Sequence, residues 1–267
     1  MLKNITLGQY FPGDTFIHRL DSRTKLLATV ALIVAVFLAQ GVLSYALLFA
    51  FVLACIKLSN VGMKFIWKGL KPILFIVVIT FVLNIFFTPG EVMLLEWKFI
   101  HISQNGLITA ARMALRLVLL VMSTQILTLT TSPISLTDGM ERLLKPLARI
   151  GFPAHELAMM MSIALRFIPT LLEETDKIMK AQKSRGADFE SGNLIQRAKA
   201  MLPLLVPLFL SAFRRADELA LAMEARCYRG GNGRTRMKQM HYGRGDAIAG
   251  LSLSALIAAV VLLNKVF

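Results

Sequence analysis

Two arginines, Arg185 and Arg226, each follow a long predicted helix and lie forty-one residues apart. The sequences around them, AQKSRG at 181–186 and AMEARC at 222–227, place a small residue on each side of the arginine. A planar guanidinium can form paired hydrogen bonds with a carboxylate or with carbonyl oxygens, and small neighbours allow the backbone to approach a groove. One such ending is explained by a basic residue that complements the helix dipole and by a left-handed glycine cap. Two of them on consecutive helices predict two docking points for partner proteins.

Motifs for catalysis and for nucleotide binding are incomplete in the sequence. HELAM at 155–159 begins like the zinc motif H-E-x-x-H, but Met159 occupies the place of the second histidine. The glycine-rich GGNGR at 230–234 lacks the lysine–serine pair of a phosphate-binding loop, so we interpret it as a flexible linker. Cys55 and Cys227 are too few and too far apart for a disulfide framework or a metal cluster. We therefore predict that the chain is not an enzyme and holds no metal or cofactor.

The composition is that of an integral membrane protein, because 56% of the residues are hydrophobic and only 17% are charged. No charged residue occurs from Leu26 to Ile56, a stretch longer than the roughly 20 residues that one helix needs to cross a bilayer. We therefore predict two spans there, separated at Gln40-Gly41, and an all-α polytopic membrane fold. The five predicted transmembrane helices lie near residues 26–39, 42–56, 70–87, 107–130 and 247–264.

The net charge of +14 is distributed as the positive-inside rule expects for a membrane protein. Residues 1–25 and 57–71 together carry eight basic and two acidic groups, which predicts that both segments, and so the N-terminus, lie in the cytoplasm. The loop at 88–109 has a net charge of −1 and is predicted to lie outside. Since no interleaving of aromatic and basic residues accompanies the charge, we expect a lipid bilayer and no nucleic acid as a partner.

The chain divides into three predicted parts: a membrane part with four spans at 1–130, a cytoplasmic segment at 131–245 and a last span at 246–267. The cytoplasmic segment is predicted to contain three helices. The second is amphipathic and about thirty residues long, and the third is interpreted as a helix kinked by Pro203 and Pro207, with a short transmembrane hairpin as the alternative. The predicted helices start at Thr137 or Asp138, near Pro153 and near Leu194, and end near Ile150, at the first arginine ending and at Arg226.

Two further groups of residues each allow a structural and a functional interpretation. Arg112 and Arg116, one turn apart at the outer end of the fourth predicted span, either extend to the lipid headgroups or pair with polar groups inside the bundle. Met159, Met160 and Met161 are either ordinary core residues or part of a flexible, polarizable surface that accepts several partners in turn.

The sequence resembles the transmembrane T subunits of energy-coupling factor transporters, a vitamin-uptake branch of the ABC transporters. The resemblance is carried by HRLDSRTKLL at 18–27, LTLTTSP at 127–133, LRFIPTLLEE at 165–174 and the two arginine endings, in family order and over nearly the full length. It implies a cell-membrane protein that transmits ATP-driven movement from two ABC ATPase subunits to one or more membrane-embedded, substrate-binding S subunits. ATP and magnesium would be bound by the partner subunits and not by this chain.

The resemblance also implies a role for each residue of the two endings. In the family, Ala-Arg-Gly or a near variant ends two helices that dock into grooves of the two ATPases. The matching residues here are Ser184, Arg185 and Gly186 at the first ending and Ala225, Arg226 and Cys227 at the second. Serine and cysteine replace one alanine and one glycine of the family pattern, and both are small. The S subunit is expected against the apolar faces of the long helices, where Met159, Met160 and Met161 lie.

Two other classes of membrane protein remain as alternatives at this point. A self-contained secondary transporter would need inverted repeats, broken helices and polar groups at the bilayer midplane, and Asn84 and Gln125 are nearly the only candidates for such groups. A membrane scaffold without a motor would differ from a transporter subunit only in its partners.

Overall fold

The computed structural model describes residues 10–89, 93–97, 100–189, 191, 193–231 and 239–266. The predicted all-α fold is confirmed, with one short antiparallel hairpin that the sequence pattern did not predict. The hairpin pairs β1 (Met93–Trp97) with β2 (Ile100–Ser103), with Glu96 opposite His101. The helices are α1 (Phe16–Arg19), α2 (Ser22–Leu38), α3 (Val42–Ser59), α4 (Met63–Phe87), α5 (Gln104–Thr130), α6 (Pro133–Leu144), α7 (Ala154–Ser184), α8 (Leu194–Ala200), α9 (Leu202–Ala225) and α10 (Arg244–Val266).

Each of the five predicted transmembrane helices is present, as α2, α3, α4, α5 and α10. Other helices of the fold are also long and apolar. Among the described residues, six helices are long and apolar enough to cross a membrane by length and composition alone. This set omits the 17-residue α2 and adds α7 and the segment Ile195–Ala225.

Two predicted helix starts differ from the structure for identifiable reasons. The third span begins at Met63 and not near residue 70, because left-handed Asn60 (φ 51°) ends α3 and allows α4 to begin after a short turn. The first helix of the predicted cytoplasmic segment begins at Pro133, so capping by Thr137 or Asp138 is wrong. The Ser132 hydroxyl accepts a hydrogen bond from the Ser135 N–H (3.2 Å) and caps this helix, with proline at its first position.

The third predicted helix of that segment is interrupted at one residue, as its prolines suggested. Met201 ends α8 and precedes α9. Pro203 has no N–H to donate, and its ring disfavours continuation of the preceding turn.

The described residues form two compact units. The first contains 10–142 and 239–266, and the second contains 143–189, 191 and 193–231. In the first unit α2, α3, α5 and α10 surround the core, in which Val36, Leu48, Val52, Leu119 and Val260 are fully buried. α6 lies almost entirely in this unit. The boundaries of the three predicted parts, at 130 and 245, stay a prediction.

α4 packs on α5 with one face and leaves the other uncovered. Phe75 and Phe87 are 72% and 79% exposed, whereas Ile66 is buried. The close approach is at Gly69, where an added Cβ would collide with the Gln125 side-chain amide. The uncovered apolar face is the kind of surface that a bilayer solvates.

Asn264, near the end of α10, ties this helix to the turn between α2 and α3. Its amide group donates to the Leu38 carbonyl (2.6 Å), and its Oδ1 accepts from the Gln40 N–H (3.2 Å) and the Ser44 hydroxyl (3.0 Å). Helix ends leave such backbone groups without partners in their own helix. One side chain therefore satisfies polar groups of two helix ends.

We predict that Asn264→Leu destabilises the protein by about 1–3 kcal/mol, because it leaves these polar groups without a partner. Thermal unfolding in detergent measures the effect. Ser252→Leu is the control, since the exposed Ser252 hydroxyl bonds to the Ala249 carbonyl of the same helix (2.9 Å) and to no other described residue. Equal losses in the two variants would contradict the proposed role of the asparagine.

Candidate docking site at two helix ends

The two arginine endings have the same backbone conformation. Arg185 (φ −89°, ψ 7°) and Arg226 (φ −90°, ψ 10°) are the C-terminal caps of α7 and α9. In each, the next residue is left-handed: Gly186 has φ 88° and Cys227 has φ 55°. The two sequences therefore fold into matching ends although only one carries a glycine.

The hydrogen bonds of the two endings match as well. Gly186 N–H donates to Lys183 O (3.0 Å) and Ala187 N–H to Gln182 O (3.0 Å). The corresponding bonds at the second ending run from Cys227 N–H to Glu224 O (2.8 Å) and from Tyr228 N–H to Met223 O (3.0 Å). Both sets are the paired bonds of a Schellman motif, which fixes the direction in which the chain leaves the helix.

The residues predicted to dock are accessible. Ser184, Arg185, Gly186, Ala225, Arg226 and Cys227 are all exposed. Neither guanidinium group has an ion pair or a hydrogen bond with another described residue. Each ending therefore presents a guanidinium group without a partner in the described part of the chain, and such a group can bind a carboxylate or a set of carbonyl oxygens.

Cys227 holds its left-handed conformation at a cost. For residues other than glycine this conformation is unfavourable by about 1–2 kcal/mol. At Gly186 an added Cβ would meet no atom within 4 Å, so only the backbone angle favours glycine there.

We predict that Cys227→Gly stabilises the second ending by about 1 kcal/mol, since relief of the strain exceeds the added chain entropy. Hydrogen exchange of the Cys227 and Tyr228 amides should slow about fivefold. Gly186→Ala is the converse variant, and the amides at 186 and 187 should exchange about fivefold faster. Unchanged exchange in both variants would show that the left-handed positions do not limit these endings.

The two helices that carry the arginines are joined by an ion pair. Arg215 Nη2 of α9 lies 2.9 Å from Glu174 Oε2 of α7, and both side chains are partly buried. The sequence places these residues on the two helices but gives no sign that they meet. A signal for this contact is nevertheless present in the sequence. Glu174 and Arg215 carry opposite charges, and each lies eleven residues before the arginine at the end of its helix.

The three predicted methionines lie near the start of α7 and are not a buried core. Met160 and Met161 are 54% and 47% exposed, and Met159 is partly buried. Met160 and Met161 are therefore surface residues, and their role in accepting partners stays a prediction.

In the first unit, Arg116 pairs inside the bundle, while Arg112 is exposed. Arg116 Nη2 donates to the Tyr45 hydroxyl (3.1 Å), and the guanidinium lies 5.4 Å from the Phe37 ring centroid. A cation beside an aromatic face is stabilised in a low-dielectric environment. The structure thus favours the pairing interpretation for Arg116.

A polar cluster that the sequence did not predict joins the segments that carry the family resemblance. Lys25, 7% exposed, donates to His18 O (3.0 Å) and Thr130 O (2.9 Å). Asp246 accepts from Asp21 N–H (2.9 Å) and from Gly243 N–H (2.8 Å). The cluster connects the beginning of α2 with the end of α5 and the beginning of α10.

Asp21 is also held by Arg23, whose Nη2 donates to its carboxylate at 2.8 Å. Partial burial acts to raise the pKa of Asp21, but the Arg23 hydrogen bonds and charge outweigh burial and lower this pKa below its usual value. The stability that this carboxylate contributes is therefore present above its unfolded-state pKa and is lost only as the pH falls through the lower, folded-state pKa.

Comparison with known proteins decides the family. A family described as cobalt transport protein, CbiQ, matches residues 13–238. A relative from Clostridium kluyveri, an energy-coupling factor transporter transmembrane protein EcfT, is 59% identical over 98% of this chain and 97% of its own length. The EcfT proteins of Acidaminococcus fermentans and Bacillus subtilis are 57% and 49% identical, each over 99% of this chain and 98% and 100% of their own lengths. The chain belongs to the EcfT family.

Family membership confirms the resemblance and settles the general role. The chain is a multi-pass membrane protein and the energy-coupling transmembrane subunit of an energy-coupling factor transporter. A self-contained secondary transporter and a scaffold without a motor are therefore set aside. Among the described residues, no group of three or more His, Cys, Asp or Glu side chains is placed to hold a metal ion.

Proposed function

We propose that this chain couples ATP hydrolysis by two ABC ATPase subunits to uptake of vitamins or other micronutrients through a separate S subunit in the cell membrane. Ser184, Arg185 and Gly186 dock on one ATPase, and Ala225, Arg226 and Cys227 dock on the other. The observation that carries the proposal is the identity of the two endings in backbone conformation and hydrogen bonding. Two matching ends on one chain suit two similar partner grooves.

The motor of this transporter belongs to its partners. The sequence contains no phosphate-binding loop of the form G-x-x-x-x-G-K-[ST], so it cannot cradle ATP phosphates in that way. ATP and magnesium are bound by the ATPases, and closure of the ATPase pair moves the two docked helix ends. Because ATP is a cytoplasmic fuel, the arginine endings face the cytoplasm. The positive-inside rule places the basic N-terminal segment in the cytoplasm too.

The S subunit binds the apolar surfaces of α7 and α9. Val206, Phe209 and Phe213 of α9 are 62%, 59% and 68% exposed, and Met160 and Met161 of α7 contribute a similar surface. Large exposed apolar patches are typical of contacts with lipid or with another protein. Methionine thioethers are flexible and polarizable, so this part of the surface can adapt to S subunits of different shape.

The test is affinity purification of the tagged chain from its native membranes in mild detergent, beside the double variant Arg185→Glu/Arg226→Glu. We expect two ATPases and one or more small membrane proteins with the wild type, and no ATPases with the variant. Charge reversal places a like charge against acceptor oxygens, which typically costs several kcal/mol of binding.

Lys180→Glu/Arg214→Glu is the matched control, because it reverses two exposed charges on the same helices outside the endings. It should retain both ATPases. If the wild type purifies alone, or if the double arginine variant keeps its ATPases, the arginines are helix caps and the proposed docking is wrong.

Replacing Met159, Met160 and Met161 together with valine should impair some S subunits more than others. Valine is stiffer and shorter, so the surface loses its ability to adapt. Uptake of a panel of radiolabelled B vitamins by cells that depend on the variant measures this selectivity, and we expect differences of about tenfold between vitamins. Equal and unchanged uptake of every vitamin would remove any selective role for the methionines.

A further inference from the structure

The Glu174–Arg215 ion pair lies at equivalent positions of the two arginine helices. Glu174 is eleven residues before Arg185, and Arg215 is eleven residues before Arg226. The shift of forty-one residues that superimposes the two endings therefore also superimposes Glu174 on Arg215. These equivalent residues contact each other at 2.9 Å.

Contact between equivalent positions has a geometric consequence. A contact between equivalent side chains is the one that an approximate two-fold axis between two similar elements produces. At about 1.5 Å per residue, each helix extends roughly 16 Å from this contact to its arginine. We call the part of each helix from the ion pair to the arginine its arm, and the arms of α7 and α9 are thus of equal length.

The pair is partly enclosed by the packing of α7 on α9. The side chains of Arg215 and Glu174 are 35% and 24% exposed. Arg215 Nε is buried and has no hydrogen-bond partner among the described residues. A partly buried, directional contact of this kind specifies register between two helices more than it adds stability.

We infer that the Glu174–Arg215 pair is the pivot that holds α7 and α9 in register, so that displacement of the two docked ends is transmitted along the helices. Both residues are positioning residues for coupling, and the inference rests on the proposed function. Without the pair the helices slide past each other, and movement of the ends is dissipated before it reaches the rest of the helices. ATPase docking, which needs only the endings, stays intact.

A distance measurement between the two arms tests the inference directly. Lys180 and Leu221 are exposed and equivalent under the same shift of forty-one residues, so we replace both with p-acetylphenylalanine and attach nitroxide labels to its ketone. Both native cysteines are kept, so the docking ending is unchanged, and the sample is the chain purified with its partners. Pulsed electron paramagnetic resonance should give a narrow distance distribution, which Arg215→Glu broadens at least about twofold.

Uptake and ATP hydrolysis separate coupling from docking. In Arg215→Glu, uptake of the radiolabelled vitamins that the wild type imports should fall about tenfold, while ATPase co-purification and ATP hydrolysis stay within about twofold of wild type. The exchanged pair Glu174→Arg/Arg215→Glu should restore uptake and the narrow distribution. If Arg215→Glu does not accumulate, Glu174→Gln/Arg215→Gln removes both charges, keeps polar side chains at both positions and should broaden the distribution equally.

The adjacent charges provide the matched control. Glu173 and Arg214 are exposed and also equivalent to each other, so Arg214→Glu alters charge at the same level of the helix without touching the pair. The inference is wrong if Arg214→Glu broadens the distribution as much, if the exchanged pair does not restore it, or if Arg215→Glu loses its ATPases. Failure of docking itself would be seen separately, as retention of ATPases by Arg185→Glu/Arg226→Glu.

Discussion

Reversing either arginine alone, as Arg185→Glu or Arg226→Glu, should lower ATP-driven uptake about a hundredfold or more, although one docking point is left intact. In the proposed mechanism, the work done on the bundle comes from relative movement of the two docked ends. If one end is released, we expect closure of the ATPases to carry the other end along without changing the angle between the helices. Each single variant should therefore resemble the double variant in uptake.

The two single variants and the double variant should differ in binding. Each single variant should retain one docked ATPase, whereas the double variant retains none. Uptake of radiolabelled vitamins and the amount of co-purified ATPase, measured on the same preparations, distinguish these cases. Arg185→Lys and Arg226→Lys keep the charge but lose the planar guanidinium with its paired donors. Their uptake and their amount of co-purified ATPase should therefore lie between those of the wild type and the charge reversals.

Lys180→Glu and Arg214→Glu serve as single controls, since they place the same charge change on the exposed surface of the same helices. They should lower uptake by no more than about twofold. Uptake close to wild type in either single arginine variant would mean that one docked end is sufficient, and the idea of paired movement would have to be abandoned.

Sequence reasoning succeeded for features that depend on neighbouring residues. Apolar runs long enough to span a bilayer became α2, α3, α4, α5 and α10 because hydropathy is a local property. The arginine endings could be matched because a helix end is built from about six consecutive residues. The interruption at Met201 followed from Pro203, whose effect reaches only one turn back.

Boundaries were missed where two local signals competed. Thr137 and Asp138 are good capping residues, but Ser132 followed by Pro133 is a stronger start signal, and the hydroxyl of Thr137 bonds instead to Pro133 O (2.9 Å). The hairpin of β1 and β2 is not predicted from the sequence pattern, because its strands have only five and four residues.

Other features could not be predicted, because their partners are distant in the chain. Lys25 and Thr130 are 105 residues apart, and Asn264 and Leu38 are 226 apart. A lysine before an apolar run is usually a topology signal at the membrane surface. Its burial between backbone carbonyls is determined by how the helices pack, for which a single sequence carries no direct signal.

Lys25→Met should destabilise the protein by about 3 kcal/mol, the second large effect that we expect. Lys25 donates to His18 O in α1 and to Thr130 O at the end of α5, groups that have no partner within their own helices. Hydrogen bonds from a charged donor contribute about 1.5–3 kcal/mol each. Methionine keeps the apolar stem of the side chain but leaves both carbonyls without a hydrogen bond. The loss of stability therefore measures the contribution of the ammonium group and not the effect of a cavity.

Thermal unfolding in detergent should show a midpoint lowered by roughly 5–10 °C. Amide exchange near the end of α5 should accelerate, because this end is held by contacts with other segments of the chain. Besides the bond from Lys25 to Thr130 O, Leu129 O accepts a hydrogen bond from Phe11 N–H (2.9 Å). Arg19→Met is the control, since Arg19 is exposed and only six residues away. A midpoint within about 1 °C of wild type would mean that water or lipid satisfies these carbonyls. The link between the segments 18–27 and 127–133 would then contribute little to holding the membrane bundle together.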